Sequence, residues 1–204
     1  MSFKKLLPAI KTTLNQLQME SPTPFQKKLI PKIKSGTDLI AIGNENTGKT
    51  TTLIINTIQK LNGEAVGDVP RALIFVKDKE SALHLEEQFK VFTQQTNLRI
   101  FCVYEEGNIN HQKETIYFGM DIVIGTPKRL NKIYFQNGIN LADLQLFIIE
   151  DAEFLEGQSH HTEIHRIYES LNKCQTVVFS SEYGSKIEKL QELFLARAEV
   201  IIIQ

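Results

Sequence analysis

The eight residues Gly43-Asn44-Glu45-Asn46-Thr47-Gly48-Lys49-Thr50 constrain this chain more than any other stretch. They spell G-x-x-x-x-G-K-T. An apolar run, Leu39-Ile40-Ala41-Ile42, precedes them, and Leu53, Ile54, Ile58 and Leu61 follow at helical spacing. A glycine-bearing turn from a strand into a helix points backbone N–H groups at one spot, where the helix N-terminus also favours an anion. Lys49 is placed to reach the β- and γ-phosphates of a nucleotide, and the Thr50 hydroxyl to help hold Mg²⁺. The plainer alternative is a strand-to-helix turn without a ligand. The strand before and the helix after favour the phosphate loop.

The remainder of the chain alternates in the same way. Helical spacing predicts helices over 3–18 and 25–33, separated by the breaker Ser21-Pro22-Thr23-Pro24. The helix after the phosphate loop spans 50–61, and 62–70 reads as a turn-rich loop. Strands are expected at 72–76, 100–104, 122–124, 146–149, 176–179 and 200–203, with helices at 80–92, 109–118, 127–134, 162–171 and 186–195 between them. The strands are short, apolar throughout and rich in Val and Ile, the pattern of parallel strands buried on both faces. The expected fold is therefore α/β: a three-layer domain with a mostly parallel central sheet of about seven strands and right-handed crossovers. In such sheets, ligands bind at the carboxyl ends of the strands.

Length and composition agree. The 204 residues suit one domain with a small extension, and 42% hydrophobic residues suffice for a sizeable core. No linker or repeat marks a second domain. No apolar run approaches the ~20 residues of a membrane span, and Met1-Ser2-Phe3-Lys4-Lys5 does not open a signal peptide, so no membrane partner is expected. Cys102 and Cys174 read as buried free thiols of a reducing, cytoplasmic compartment. A net charge of −1 provides no global field for nucleic acid, so any such site needs a local basic patch.

The loops after the strands carry the chemistry. Glu150-Asp151-Ala152-Glu153 follows Leu146-Phe147-Ile148-Ile149. In a phosphate-loop NTPase the carboxylate ending this strand holds Mg²⁺, and a neighbouring one can activate water. The competing reading is an acidic helix start. His160, His161 and His165 include an i, i+4 pair, but the pattern is not H-E-x-x-H, and a polar helix start explains them.

With these motifs in order, the chain resembles the first RecA-like domain of the DEAD-box ATP-dependent RNA helicases. Pro22-Thr23-Pro24-Phe25-Gln26 is similar to the family's Q motif, with Phe3 as its upstream aromatic. The segment Ala72-Leu73-Ile74 through Lys79-Glu80-Ser81-Ala82 is similar to that holding motif Ia. Gly119-Met120-Asp121-Ile122-Val123-Ile124-Gly125-Thr126-Pro127-Lys128-Arg129-Leu130 is close to G-x-D-I-V-V-x-T-P-G-R-L. Glu150 to Glu153 lies at D-E-A-D, and Ser180-Ser181-Glu182 at S-A-T.

The resemblance implies an N-terminal helical segment over 1–35 and a RecA-like nucleotide-binding domain over 36–204, compact as one unit. ATP and Mg²⁺ are the implied cofactors. Phe3, Gln26, Gly43, Asn46, Thr47, Gly48, Lys49, Thr50 and Thr51 would bind nucleotide, with Gln26 reading adenine through its amide. Thr50 and Glu150 would hold the metal, and Glu150, Asp151 and Lys49 would serve catalysis. Lys79, Thr126 and Arg129 would touch RNA backbone, and Ser180 and Ser181 would couple to a second domain.

The departures from the family pattern are equally informative. The D-E pair is here Glu150-Asp151, Asn46 stands for a Gly and Glu45 for a common Thr, and Lys77-Asp78 replaces a Pro-Thr. Glu105-Glu106 replaces a Gly-Gly, where two carboxylates should weaken RNA binding, and S-A-T has become Ser180-Ser181-Glu182. The chain stops where the second RecA-like domain of the family would begin. Two readings follow: the ATP-binding half of an RNA helicase with impaired hydrolysis, or a degenerate domain binding nucleotide or a protein without turnover. A generic phosphate-loop NTPase such as a small kinase fits less well, given Gln26 and the lack of a lid-like basic segment.

Overall fold

The computed structural model describes residues 3–155 and 160–203. Seven strands form one sheet: β1 (Leu39–Gly43), β2 (Ala72–Phe75), β3 (Ile100–Val103), β4 (Ile122–Gly125), β5 (Leu146–Ile149), β6 (Gln175–Ser180) and β7 (Glu199–Ile203). Their order is β3-β4-β2-β5-β6-β1-β7, and every pairing is parallel. Eight α-helices accompany them: α1 (Pro8–Gln16), α2 (Pro24–Lys34), α3 (Lys49–Lys60), α4 (Lys79–Thr93), α5 (Ile109–Tyr117), α6 (Pro127–Phe135), α7 (His160–Tyr168) and α8 (Ser185–Leu190).

Alternation along the strands builds two cores, one on each face. Leu39, Ala41, Ile74 and Phe179 point to a core filled from α1 to α4 by Ile10, Leu29, Ile54 and Phe89. Ile40, Ile42, Phe75 and Val178 point to the opposite core, filled from α5 to α8 by Ile116, Ile133, Ile164 and Leu190. Strands between two helical layers must be apolar on both faces, which is why β1, β2, β4, β5 and β6 are buried throughout. The edge strand β7 departs from that pattern: Ile202 is 53% exposed, since the outermost strand is covered on one face only.

Some boundaries differ from the sequence reading. The first helix is not continuous over 3–18 but a 3₁₀ turn, Phe3–Lys5, followed by α1. Leu7 is extended (ψ 146°) because Pro8 clashes with a helical residue before it, so the helix starts afresh at the proline. The last helix gives way after Leu190 to a π turn, Gln191–Leu195. The loop over 62–70 is pinned by one buried carboxylate. Asp121, fully buried, accepts from Val66 N (3.1 Å), Arg71 Nη2 (2.6 Å) and Arg99 Nε (2.9 Å).

Because the sheet is parallel, the carboxyl ends of β1, β2, β4, β5 and β6 open on the same side. A cleft of about 1630 Å³ runs along them.

Candidate nucleotide and nucleic-acid cleft

The phosphate loop leaves β1 at Gly43 and enters α3 at Lys49. Gly48 caps the helix at φ 89°, a left-handed conformation that favours glycine. Asn46 also sits in that region, at φ 62°, which accounts for a residue that tolerates it where a glycine was expected. The close fit around the loop is set from outside. A Cβ on Gly43 would lie 2.6 Å from the Phe25 ring, and one on Gly48 2.7 Å from Gln26 Nε2. Lys49 Nζ donates to the carbonyls of Gly43 (2.7 Å) and Asn44 (3.4 Å), which holds the ammonium over the loop.

The start of α2 is tied to the same loop. Thr23 and Gln26 form a reciprocal capping box: Gln26 N donates to Thr23 Oγ1 (3.2 Å) and Thr23 N to Gln26 Oε1 (3.0 Å). Thr23 Oγ1 in turn donates to the Thr47 carbonyl at 2.8 Å. The sequence reading singled out Gln26 but not Thr23, although T-x-x-Q before an apolar run is itself a capping signature. Gln26 is 4% exposed, its oxygen already accepts one bond, and its amide nitrogen lies against Gly48 at the cleft wall.

Glu150 ends β5 inside the cleft and is nearly buried at 9% exposure. Burial first, then the neighbouring Asp151 charge, pushes its carboxyl up to about 8, against a hydrogen bond from Thr50 and the charge of Lys49. Asp151, at φ 44°, is also raised, by burial and then by Glu153. Glu153 behaves oppositely. Burial opposes its ionisation, but bonds from the Ser181 hydroxyl and N–H and from Ser180 Oγ (3.1 Å) outweigh it and lower the carboxyl. The structure thus links the end of β6 to the turn after β5 through Glu153, a contact between adjacent strands that sequence separation hides.

On the far side of the cleft, Lys79 opens α4 and lies 5.2 Å over the ring of Tyr104. Thr126 caps α6 and donates to Glu105 Oε2 at 2.6 Å. Arg129 does not face the cleft. It is 6% exposed, with Nη2 donating to the Glu105 and Gly107 carbonyls. Phe3 likewise stands away from the cleft lining, packed against the core that α1 to α4 fill. Thr47 Oγ1 turns to the Asn44 carbonyl (2.8 Å), whereas Thr51 lines the cleft. The three histidines have separate partners: His160 Nδ1 meets Glu163 (2.9 Å), His161 donates to the Lys186 carbonyl (3.2 Å), and His165 faces Glu169 (3.7 Å).

A phosphate loop and paired carboxylates at the ends of β1 and β5 of a fully parallel sheet define a RecA-like domain. A model of the DEAD/DEAH box helicases matches residues 23–190, and the chain belongs to that family as an N-terminal RecA-like domain. Among curated relatives it is 28% identical over 195 residues to the pre-mRNA-processing ATP-dependent RNA helicase PRP5 of Meyerozyma guilliermondii, covering 92% of this chain and 23% of that protein. It is 31% identical over 193 residues to the probable ATP-dependent RNA helicase DDX46 of Danio rerio, covering 90% of this chain and 19% of that one. The chain therefore spans about a fifth of the length of these relatives. A solved DEAD box protein from the hyperthermophile Methanococcus jannaschii superposes with a TM-score of 0.88 over 98% of this chain and 55% of that one; at 22% identity it speaks to the fold alone.

Proposed function

We propose that this chain is the ATP-binding half of an RNA helicase: it takes up adenine nucleotide with Mg²⁺ in the β1–β5 part of the cleft and meets RNA backbone across the α4 and α6 N-termini. The observation that carries the nucleotide reading is Glu150. An ionised carboxylate buried at the cleft wall is costly, and because the Thr50 bond and the Lys49 charge offset burial and Asp151 only in part, a further cation at the site would favour the charged form. The donor set, a carboxylate and a threonine hydroxyl, consists of the hard oxygens that Mg²⁺ takes together with substrate phosphates. When bound, the metal would supply charge neutralisation between phosphates. Lys49, drawn off the Gly43 carbonyl, would pair with phosphate, and the α3 N-terminus would donate N–H bonds to it. Gln26, held by Thr23 against Gly48, offers its free amide N–H and the second lone pair of its oxygen to the base.

Titration with a fluorescent ADP tests this. Lys49→Ala and Gln26→Ala should each weaken binding at least tenfold, the loss expected for one charge-assisted or paired hydrogen bond at a desolvated site. Unchanged affinity in Lys49→Ala would refute the site.

A second reading, nucleotide binding without turnover, is favoured by the pair itself. Glu150 and Asp151 each differ by a methylene from the family order, and Asp151 is held at a left-handed φ of 44°. Among the described residues the cleft lining has lysines but no arginine, so an arginine finger must enter from outside this segment. Both cysteines are free, with thiols pushed to about 12 chiefly by burial.

A further inference from the structure

One loop, between β3 and α5, engages all three residues assigned to RNA backbone. Tyr104 lies under Lys79, its ring 5.2 Å from the ammonium. The Glu105 carboxylate accepts from the Thr126 hydroxyl at 2.6 Å. The carbonyls of Glu105 and Gly107 accept from the Arg129 guanidinium. The loop is braced in turn by Gln112, whose Nε2 donates to the Tyr104 carbonyl at 3.1 Å, and by Gly107 N donating to the same carbonyl at 3.2 Å. A Cβ on Gly107 would lie 2.1 Å from Gln112 Nε2, so the brace is closely fitted.

We propose that Glu105 is a built-in competitor for the nucleic-acid backbone, its carboxylate holding the Thr126 hydroxyl that a phosphate oxygen would otherwise take. This rests on the RNA reading above and adds the residue that sets how tightly that face binds. The chemistry is direct. A carboxylate and a phosphate diester are both anionic oxygen acceptors, and a hydroxyl donating to an ionised oxygen makes one of the stronger hydrogen bonds. The Thr126 hydroxyl carries a single proton, which serves one acceptor at a time. Glu105 itself is exposed and can swing out without opening the core, so the contact is exchangeable. A backbone arriving at α6 must displace Glu105 from Thr126 and then lie beside its charge.

The test is fluorescence anisotropy with a labelled single-stranded oligouridylate at stepped salt. The parent is compared with Glu105→Ala, Glu105→Gln, Glu106→Ala and Lys79→Ala, all checked for folding by thermal melts. Glu105→Ala should tighten binding about tenfold, the scale of one charged hydrogen bond regained. The slope of log K against log salt should change by much less than the ~0.7 of one cation–phosphate contact, because the Thr126 hydroxyl is neutral and releases no counterion. Glu105→Gln, which keeps an acceptor for Thr126 but loses the charge, should gain less. Glu106→Ala should change affinity less than about twofold, because that carboxylate engages none of the three residues, and one solvated charge is largely screened. Equal affinity of the parent and Glu105→Ala, in binding that Lys79→Ala weakens, would overturn the competitor and leave the RNA face standing. An equal gain from Glu106→Ala would also overturn it, as general charge would then suffice. Absence of RNA binding in every variant, or binding that Lys79→Ala leaves untouched, would overturn the RNA reading together with it.

Discussion

Glu150 shows what a single residue reports before any ligand arrives. Its carboxyl titrates at about 8 in the fold, against 4.5 for an unperturbed glutamate, because burial and Asp151 penalise the charge. An acid raised in the native state binds its proton there more tightly than in the unfolded chain. Its contribution to stability is therefore full below pH 4.5 and is lost as pH rises to about 8. Glu150→Gln removes the ionisation. In EDTA, the variant should match the parent near pH 5 and exceed it above pH 8, read from urea unfolding at each pH. Asp151 is raised as well, so a shallower slope of the same sign should persist in the variant. Parallel stability curves for the two proteins from pH 5 to 9 would show that Glu150 ionises freely. At this scale the sequence was legible where a motif is contiguous: Gly48, Lys49, Thr50 and Glu150 all line one cleft. It was not legible for Arg129, since a charged residue after Thr-Pro reads the same whether it faces solvent or is folded under a neighbouring loop.

At the scale of elements, what the sequence left unspecified is adjacency. Glu153 meets Ser181 because β5 and β6 are neighbours, and Glu105 meets Thr126 because β3 and β4 are. Alternation of strands and helices predicts such a sheet but not its order, which crossovers decide. The Asp121 cluster is the clearest case. It joins the loop over 62–70, the start of β2 through Arg71, and the start of β3 through Arg99, from the N-terminal end of β4. Burial would raise this carboxyl, but bonds from Arg99, Arg71 and Val66 overcome it and lower it below the usual 3.8. Removing one partner of a buried ion pair strands the other charge, at about 3–5 kcal/mol. Asp121→Asn should therefore cost several kcal/mol in urea unfolding at pH 7, with the loop over 62–70 becoming the first site of limited proteolysis. The depressed value fixes the sign of the pH effect. The stabilisation is present above pH 3.8 and disappears as pH falls through the lower native value, so the gap between variant and parent should close in acid. A gap that widened below pH 4 would place the stabilising charge elsewhere.

For the molecule as a whole, the cleft's geometry bears on whether this segment turns over ATP. Phosphoryl transfer is mostly positioning and charge stabilisation. Two features bear on it. The Glu150-Asp151 order shifts each carboxylate by a methylene, about 1.5 Å, and misplacement on the scale of 1 Å can cost ~10²-fold. The second is the cleft lining, in which, among the described residues, Lys49, Lys77, Lys79 and Lys128 appear but no arginine. An arginine finger is worth roughly 10³–10⁵ in rate, so its absence outweighs the carboxylate swap. Relaxation of the turn at Asp151 can recover part of the smaller term but cannot supply the larger. The expectation is specific. This segment should release phosphate from ATP barely or not at all, with RNA and Mg²⁺ present. The double change Glu150→Asp with Asp151→Glu should leave that unaltered. Turnover should appear only when the double variant is joined to a second RecA-like domain that brings arginines to the open side of the cleft. Continuous phosphate-release assays on the four combinations separate the two terms. Steady turnover near 1 s⁻¹ by the unmodified segment, abolished by Lys49→Ala, would mean that the ends of β1 and β5 already hold a complete catalytic set, and that the Glu-Asp order is a working variant of the family's pair.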